Sequence, residues 1–299
     1  MSTPTTLELP PGVRRTAVVS PRGEFSALEA LPASGATELG TALLVPGYTG
    51  SKEDFINVLS DLARAGRRVL AVDQRGQYET PGPDDPAAYT AAALGTDIAA
   101  LAAVTQARHL LGHSFGGLMV REAVLTAGLE AASLTLLSSG PAAIPGPRAE
   151  RLASMLDFLG PARGEELRAR VAEAWHRFLG PEAEQAGASG PILAFLRERM
   201  LKNNPVGLVA MAREILSAED RTKELAEAGI PAFVLYGEDD DAWPAAVQED
   251  MAVRLGARRL CIPAAAHSPA VEAPATTAQA LTGFWNTAEG VTAGAATRI

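Results

Sequence analysis

The sequence predicts an α/β fold in which a mostly parallel sheet carries helices on both faces and takes a helical insertion. Three observations carry this. Short, continuous apolar runs such as Thr41–Val45, Arg68–Val72 and Ser133–Leu137 read as strands covered on both faces. Between them lie segments of helical spacing, Phe55 to Leu62, Thr90 to Val104 and Phe115 to Ala127. Strands alternating with helices of this length imply parallel pairing. From Gly140 to Gly229 the alternation stops and the chain reads as helix after helix.

Met1 to Gly12 is predicted to be a loose arm. Thr16–Ser20 and Glu24–Leu28, joined by Pro21-Arg22-Gly23, read as two strands and a tight turn. Ala33 to Gly40 is turn-rich. Pro46-Gly47-Tyr48-Thr49-Gly50 breaks the strand that follows, and Ser51 with Asp54 three residues on marks a helix start that Gly66 closes. Arg108–Leu111 is the next strand but one. In the insertion, Leu152, Met155, Leu156 and Leu159 suit one helical face, as do Val171, Trp175 and Phe178. The sheet resumes at Pro231–Tyr236 and Arg259–Ile262, a last helix covers Thr276 to Trp285, and the tail is predicted to be loose. The domain division is therefore 13–139 with 230–288 for the sheet unit, 140–229 for a helical cap, and 1–12 and 289–299 for the termini.

Composition excludes several functions. The 299 residues are 47% hydrophobic, enough for a large core, yet no run reaches the ~18 apolar residues of a membrane span. A net charge of −9 without a basic patch argues against a nucleic-acid partner. No basic-then-apolar start marks a signal peptide, and the one cysteine, Cys261, expected to be buried in a strand, fits a reducing compartment; a cytoplasmic location is expected. No Cys/His cluster has metal-ligand spacing, and no glycine loop cradles phosphate ahead of a helix, so neither metal nor cofactor is expected. Oligomeric state is left open.

The chemistry centres on Leu110-Leu111-Gly112-His113-Ser114-Phe115-Gly116-Gly117. An apolar run ends in Gly-x-Ser-x-Gly and a helical run begins at once, the context of a nucleophile elbow. Side chains two residues either side of Ser114 would collide in so sharp a turn, and Gly112 and Gly116 remove them; Gly117 lets the helix pack close. A serine hydroxyl needs a general base. Of four histidines, His109 lies inside a strand, where it packs or faces outward. His113 cannot reach back to its neighbour's hydroxyl, and His176 sits on an amphipathic helix of the cap. His267 follows the last strand, and loops at the C-terminal edge of a parallel sheet converge on one crevice, so it can meet Ser114 there. The base needs a carboxylate, and Glu238-Asp239-Asp240-Asp241 offers four candidates after a strand. An oxyanion needs two fixed N–H donors. These are the amide of Phe115 and, from the loop after Val45, that of Tyr48, with Gly47 permitting the turn.

These residues, from about Arg14 to about Asn286, resemble the α/β-hydrolase superfamily, and most the single-domain bacterial serine hydrolases of the esterase, lipase and cofactor-free haloperoxidase kind. The resemblance implies the chain order serine, acid, histidine, and a glycine followed three residues later by the acid, which selects Asp240. It implies hydrolysis of a small ester or related acyl substrate through an acyl-enzyme, with Ser114 as nucleophile, His267 as acid and base, and Asp240 orienting it. Tyr48, Phe115 and Trp243 are the expected apolar walls of the substrate pocket, with Gly47 beside them. Relatives usually carry His-Gly where this chain has Pro46-Gly47, and glycine where it has Ala266. Asp73-Gln74-Arg75-Gly76 resembles the family turn after its strand and is expected to form an ion pair or turn. Perhydrolysis, C–C bond hydrolysis, peptide cleavage beneath an iminopeptidase-like cap, or a non-catalytic ligand receptor would use the same constellation.

Overall fold

In β3 (Leu39–Val45), successive side chains alternate between two cores: Leu43 and Val45 face one, Ala42 and Leu44 the other. The period of two that makes a strand apolar throughout is thus the signature of a sheet covered twice. β4 (Arg67–Val72), β5 (Ala107–His113), β6 (Ser133–Leu137) and β7 (Ala232–Gly237) share the pattern, with Leu70, Leu110, Leu136 and Val234 on one side and Ala71, Leu111, Leu137 and Leu235 on the other. The computed structural model describes residues 2–35 and 38–291.

β1 (Val13–Ser20) and β2 (Gly23–Ala30) form an antiparallel hairpin whose turn uses the positive φ of Gly23, 127°. β2 pairs antiparallel with β4, and β4, β3, β5, β6, β7 and β8 (Arg258–Ile262) then run parallel, giving the order β1-β2-β4-β3-β5-β6-β7-β8. On one face pack α1 (Ile56–Arg64) and the C-terminal helix. On the other pack α2 (Ala91–Thr105), α3 (Phe115–Leu125) and a helix after β7. Thr90 caps α2 by accepting from the Ala93 N–H, and the Asp54 carboxylate accepts from the Ser51 N–H in a single 3-10 turn ahead of α1.

The insertion between β6 and β7 comprises α4 (Gly146–Leu159), α5 (Gly164–Ala174), a π-helical turn at Trp175–Leu179, α6 (Gly180–Gln185), α7 (Gly190–Lys202), α8 (Pro205–Ser217) and α9 (Thr222–Glu227). It has a core of its own, in which Met155, Leu159, Val171, Trp175, Leu196 and Met200 are buried together. After β7 come α10 (Ala245–Leu255), α11 (Pro269–Glu272) and α12 (Pro274–Ala288). The run forming α10 escapes a reading by apolar periodicity because Gln248, at the centre of its buried face, is polar.

Three expectations need correction. The N-terminal arm is packed: Ser2 is buried, with its hydroxyl 2.8 Å from that of Ser268 and its carbonyl accepting from Arg199 Nη2 at 2.8 Å. Leu7 leans on the core of the insertion and Leu9 on that of the sheet. At the other end, Glu289 is held at 2.8 Å by the buried Arg67, while residues 292–299 lie outside the described ones. Cys261 is half-buried rather than buried, because β8 is an edge strand.

Candidate active site

Ser114 is lifted into place by backbone geometry that few residues adopt, φ 55° and ψ −122°, between the end of β5 and the start of α3. Its N–H donates to the Leu137 carbonyl at the end of β6 (2.9 Å), and its carbonyl accepts from the Gly117 N–H (2.8 Å). A Cβ at position 112 would strike the backbone of Gly116, and one at 116 the carbonyls of Val45 and Pro46. Glycine at both positions is therefore a steric requirement of the turn.

His267 reaches the same point from the loop after β8. Its Nε2 lies 3.0 Å from Ser114 Oγ and its Nδ1 2.9 Å from Asp240 Oδ1. The loops carrying His267 and Asp240 are joined by backbone bonds from the Glu238 N–H to the Ile262 carbonyl (3.0 Å) and from the Asp239 N–H to the Ala265 carbonyl (2.9 Å). Gly237 permits that approach, since a Cβ there would run into the carbonyls of Ala265 and Ala266.

The Asp240 side chain is fully buried, which by itself pushes its pKa up. The hydrogen bond and charge of His267, the Ala242 N–H (2.9 Å) and the Gln248 amide (2.9 Å) outweigh burial and hold it below its ordinary value. The carboxylate can only accept, so His267 Nδ1 carries a hydrogen, and in the neutral ring Nε2 presents its lone pair to the Ser114 hydroxyl. The other three acids are exposed, and Asp241 is bound by Arg148 of α4 at 2.7 and 2.9 Å. Gln248, which also donates to the Trp243 carbonyl at 2.7 Å, is a positioning residue that sequence reading missed. Its signal was a polar residue three positions before Met251 on a buried helical face.

The loop after β3 brings Gly47 against the elbow; a Cβ on it would lie 3.0 Å from the Ser114 Cβ and 3.3 Å from His113 Nδ1. Buried glutamines hold this loop. Gln74 Nε2 donates to the Pro46 carbonyl and Gln77 Nε2 to the Gly47 carbonyl, both at 2.9 Å. Among the described residues no backbone acceptor meets the Tyr48 N–H, and the Tyr48 hydroxyl is anchored to the Leu208 carbonyl of α8 at 3.1 Å. Asp73 forms an ion pair, but with Lys52 Nζ at 2.7 Å, both side chains buried; it is the adjacent Gln74 that reaches the Gly47 loop.

A cavity of about 280 Å³ opens over Ser114 and His267. Gly47, Tyr48 and Trp243 wall it from the sheet side, and Leu152, Met155 and Phe178 from the insertion. Phe115 is not a wall, contrary to expectation. As the first residue of α3 it points into the sheet core, fully buried, and only its amide is near the elbow. His109 is buried and does not line this cavity, with Nδ1 2.8 Å from Ser133 Oγ and Nε2 3.0 Å from Arg67 Nη1; His176 is exposed and does not line it either.

The profile of the alpha/beta hydrolase family matches residues 42–280. The chain belongs to that family. Such a hydrolase fold recurs in a hydrolase from Pseudomonas aeruginosa PA01 (TM-score 0.69, 24% identity, 93% of this chain and 98% of that one). It recurs too in the enol-lactonase of Burkholderia xenovorans LB400 (TM-score 0.68, 20% identity, 90% and 99%). A candidate carbamate hydrolase of Variovorax paradoxus (strain S110) is 35% identical over 123 residues, 40% of this chain. A proline iminopeptidase of Lacticaseibacillus rhamnosus is 26% identical over 104 residues, 34% of this chain. The matched stretches span 46% and 36% of those two curated relatives. Among the described residues of this hydrolase, no helix is long and apolar enough to cross a membrane.

Proposed function

We propose that the protein is a serine hydrolase that cleaves a small ester or related acyl substrate through an acyl-enzyme. The observation that carries this reading is the unbroken chain Ser114 Oγ, His267, Asp240, with links of 3.0 and 2.9 Å, at the floor of a cavity. In this reading Ser114 attacks the carbonyl carbon while His267 Nε2 takes the hydroxyl proton, and the negative oxygen settles between the amides of Phe115 and Tyr48. His267 returns the proton to the departing alcohol oxygen, leaving Ser114 acylated. Water then loses a proton to His267, attacks the acyl carbon and releases the acid, and Ser114 recovers its proton. Each oxyanion donor is worth roughly 10²- to 10³-fold in rate. Residues 140–229 act as a cap that roofs the cavity and sets substrate size.

The test is a panel of 4-nitrophenyl esters of graded chain length together with a fluorophosphonate label. One label and turnover are expected, and both vanish in Ser114→Ala; a label that survives this substitution overturns the assignment. A prolyl anilide in the same panel addresses peptide cleavage, to which the partial likeness to an iminopeptidase gives support.

A further inference from the structure

The insertion presents cations, not only apolar groups, to the cavity. On α4, Arg148, Arg151, Leu152 and Met155 all line it; spaced at three, four and seven residues, they occupy one helical face. Arg177, in the π-helical turn, lines it beside Phe178. These arginines are not equivalent. Arg148 is committed to Asp241 by two short contacts. Arg151 has only a distant contact with the same carboxylate, at 3.8 Å. Arg177 has no carboxylate partner among the described residues, and its guanidinium stands over the rings of Phe158 and Phe178 at 5.1 and 5.4 Å.

Stacking of this kind fixes a guanidinium by its face and leaves its N–H edge open for an anion. Of the carboxylates on the same cavity, Asp54 is held by Arg199 at 2.7 Å, and Glu182 is not without a partner of its own. In a chain of net charge −9, two under-used arginines at a cavity over the reactive serine form a local field of the opposite sign. The same cavity wall that carries these arginines and Ser114 also carries the apolar side chains of Leu152, Met155 and Trp243.

We propose that the substrate carries a carboxylate, joined to its scissile carbonyl by a short apolar spacer, and that Arg151 and Arg177 bind it. The inference rests on the serine-hydrolase reading above and narrows its substrate class. The carboxylate could lie on the acyl side or the alcohol side of the ester, and the chemistry of recognition is the same.

Matched esters distinguish these cases. Mono-4-nitrophenyl glutarate against 4-nitrophenyl butyrate probes an acyl-side carboxylate, and 3-carboxyphenyl butyrate against phenyl butyrate probes an alcohol-side one. The reading is the ratio of kcat/KM within each pair for a given variant, which cancels any loss of folded enzyme. In one pair the anionic ester is expected to lead by about tenfold or more, as a charge-assisted pair predicts. That lead should fall at least roughly fivefold in Arg151→Met/Arg177→Met, survive in part in Arg177→Lys, and shrink as salt rises from about 50 to about 500 mM. Ratios near one in both pairs, or a lead that persists in the double variant, overturn the inference while leaving the serine-hydrolase reading intact. Absence of both turnover and fluorophosphonate labelling overturns the two together.

Discussion

His113 Nε2 donates to the main-chain carbonyl of His267 at 2.7 Å, and the two rings lie 5.0 Å apart. A carbonyl can only accept, so Nε2 of the His113 ring carries a hydrogen. Burial, with the charge of His267 as a second cause, drives its pKa down to about 3. The elbow therefore carries both the serine and a donor that pins the backbone of the loop presenting the histidine. His109, buried behind the sheet, is likewise driven down, to about 4, by burial and then by Arg67. The ordinary value of both is 6.5. Between pH 6.5 and about 4 the unfolded chain binds protons that the folded one refuses, so stability must fall as pH falls through that window. We predict that denaturant melts lose up to about 1.4 kcal/mol per pH unit for each such histidine. His113→Asn should be less stable at pH 7 yet show a shallower slope. An unchanged slope would mean that His113 does not stay neutral in the folded protein.

Asp240 and its neighbours should separate cleanly. A carboxylate that orients the imidazole stabilises both the tautomer and the developing imidazolium, and asparagine in its place has cost ~10⁴-fold in kcat in a protease of this logic. Glu238, Asp239 and Asp241 are exposed and act on His267 only through screened charge, worth well under ~1 kcal/mol. Asp240→Asn is expected to lower kcat by about three orders of magnitude or more, and Asp239→Asn and Asp241→Asn to stay within about tenfold of wild type. A collapse at Asp241 with Asp240 spared would reverse the assignment.

Gln248 donates to Asp240 Oδ2 and, through the same nitrogen, to the Trp243 carbonyl. Its loss leaves the carboxylate with the Ala242 N–H and His267, so the Asp240 pKa rises. Gln248→Met should reduce kcat by about tenfold, the worth of one charge-assisted hydrogen bond, with KM little altered. The fall should deepen toward acid pH, where the raised carboxyl begins to take up a proton. A flat ratio of variant to wild type across pH would limit Gln248 to packing.

The elements of the sheet were legible because each strand is apolar on both faces, and the elbow because its glycines answer a collision that any residue there would meet. Ser114 and His267 could be paired from chain order and sheet topology alone. Asp240 could not be chosen among four adjacent acids without family resemblance, since its burial and its contacts with His267 and Gln248, formed only in the fold, distinguish it. Gln74 and Gln77 carry no local pattern that points to the loop they hold; the carbonyls they meet are 28 and 30 residues away. Phe115 misleads because the residue after the serine has its amide at the site and its ring in the core. The packed N-terminal arm was illegible for a similar reason, as its anchors are Ser2, Arg199 and Ser268, polar residues that meet only in the fold.

Gly47 allows the oxyanion arrangement to be tested apart from stability. Its backbone does not require glycine, since its φ is not in the left-handed region, so alanine introduces no conformational strain there. The added methyl would instead press on the Ser114 Cβ at 3.0 Å and on His113 Nδ1 at 3.3 Å, contacts tight enough that the loop must shift by a few tenths of an ångström. The shift cannot be absorbed freely, because Gln74 and Gln77 hold the carbonyls of Pro46 and Gly47. It should therefore tilt the Tyr48 N–H away from the developing oxyanion. Losing such a donor outright costs about 10²- to 10³-fold, so a partial displacement should cost at least about tenfold in kcat, with KM nearly constant because the donor acts in the transition state. Fluorophosphonate labelling should slow in parallel, since phosphonylation also builds negative charge on an oxygen at that spot. The melting temperature should fall by no more than the few degrees that about 1 kcal/mol represents in a chain of this size. If kcat and labelling hold while the melting temperature drops, the methyl has been accommodated elsewhere and the loop after β3 supplies no donor.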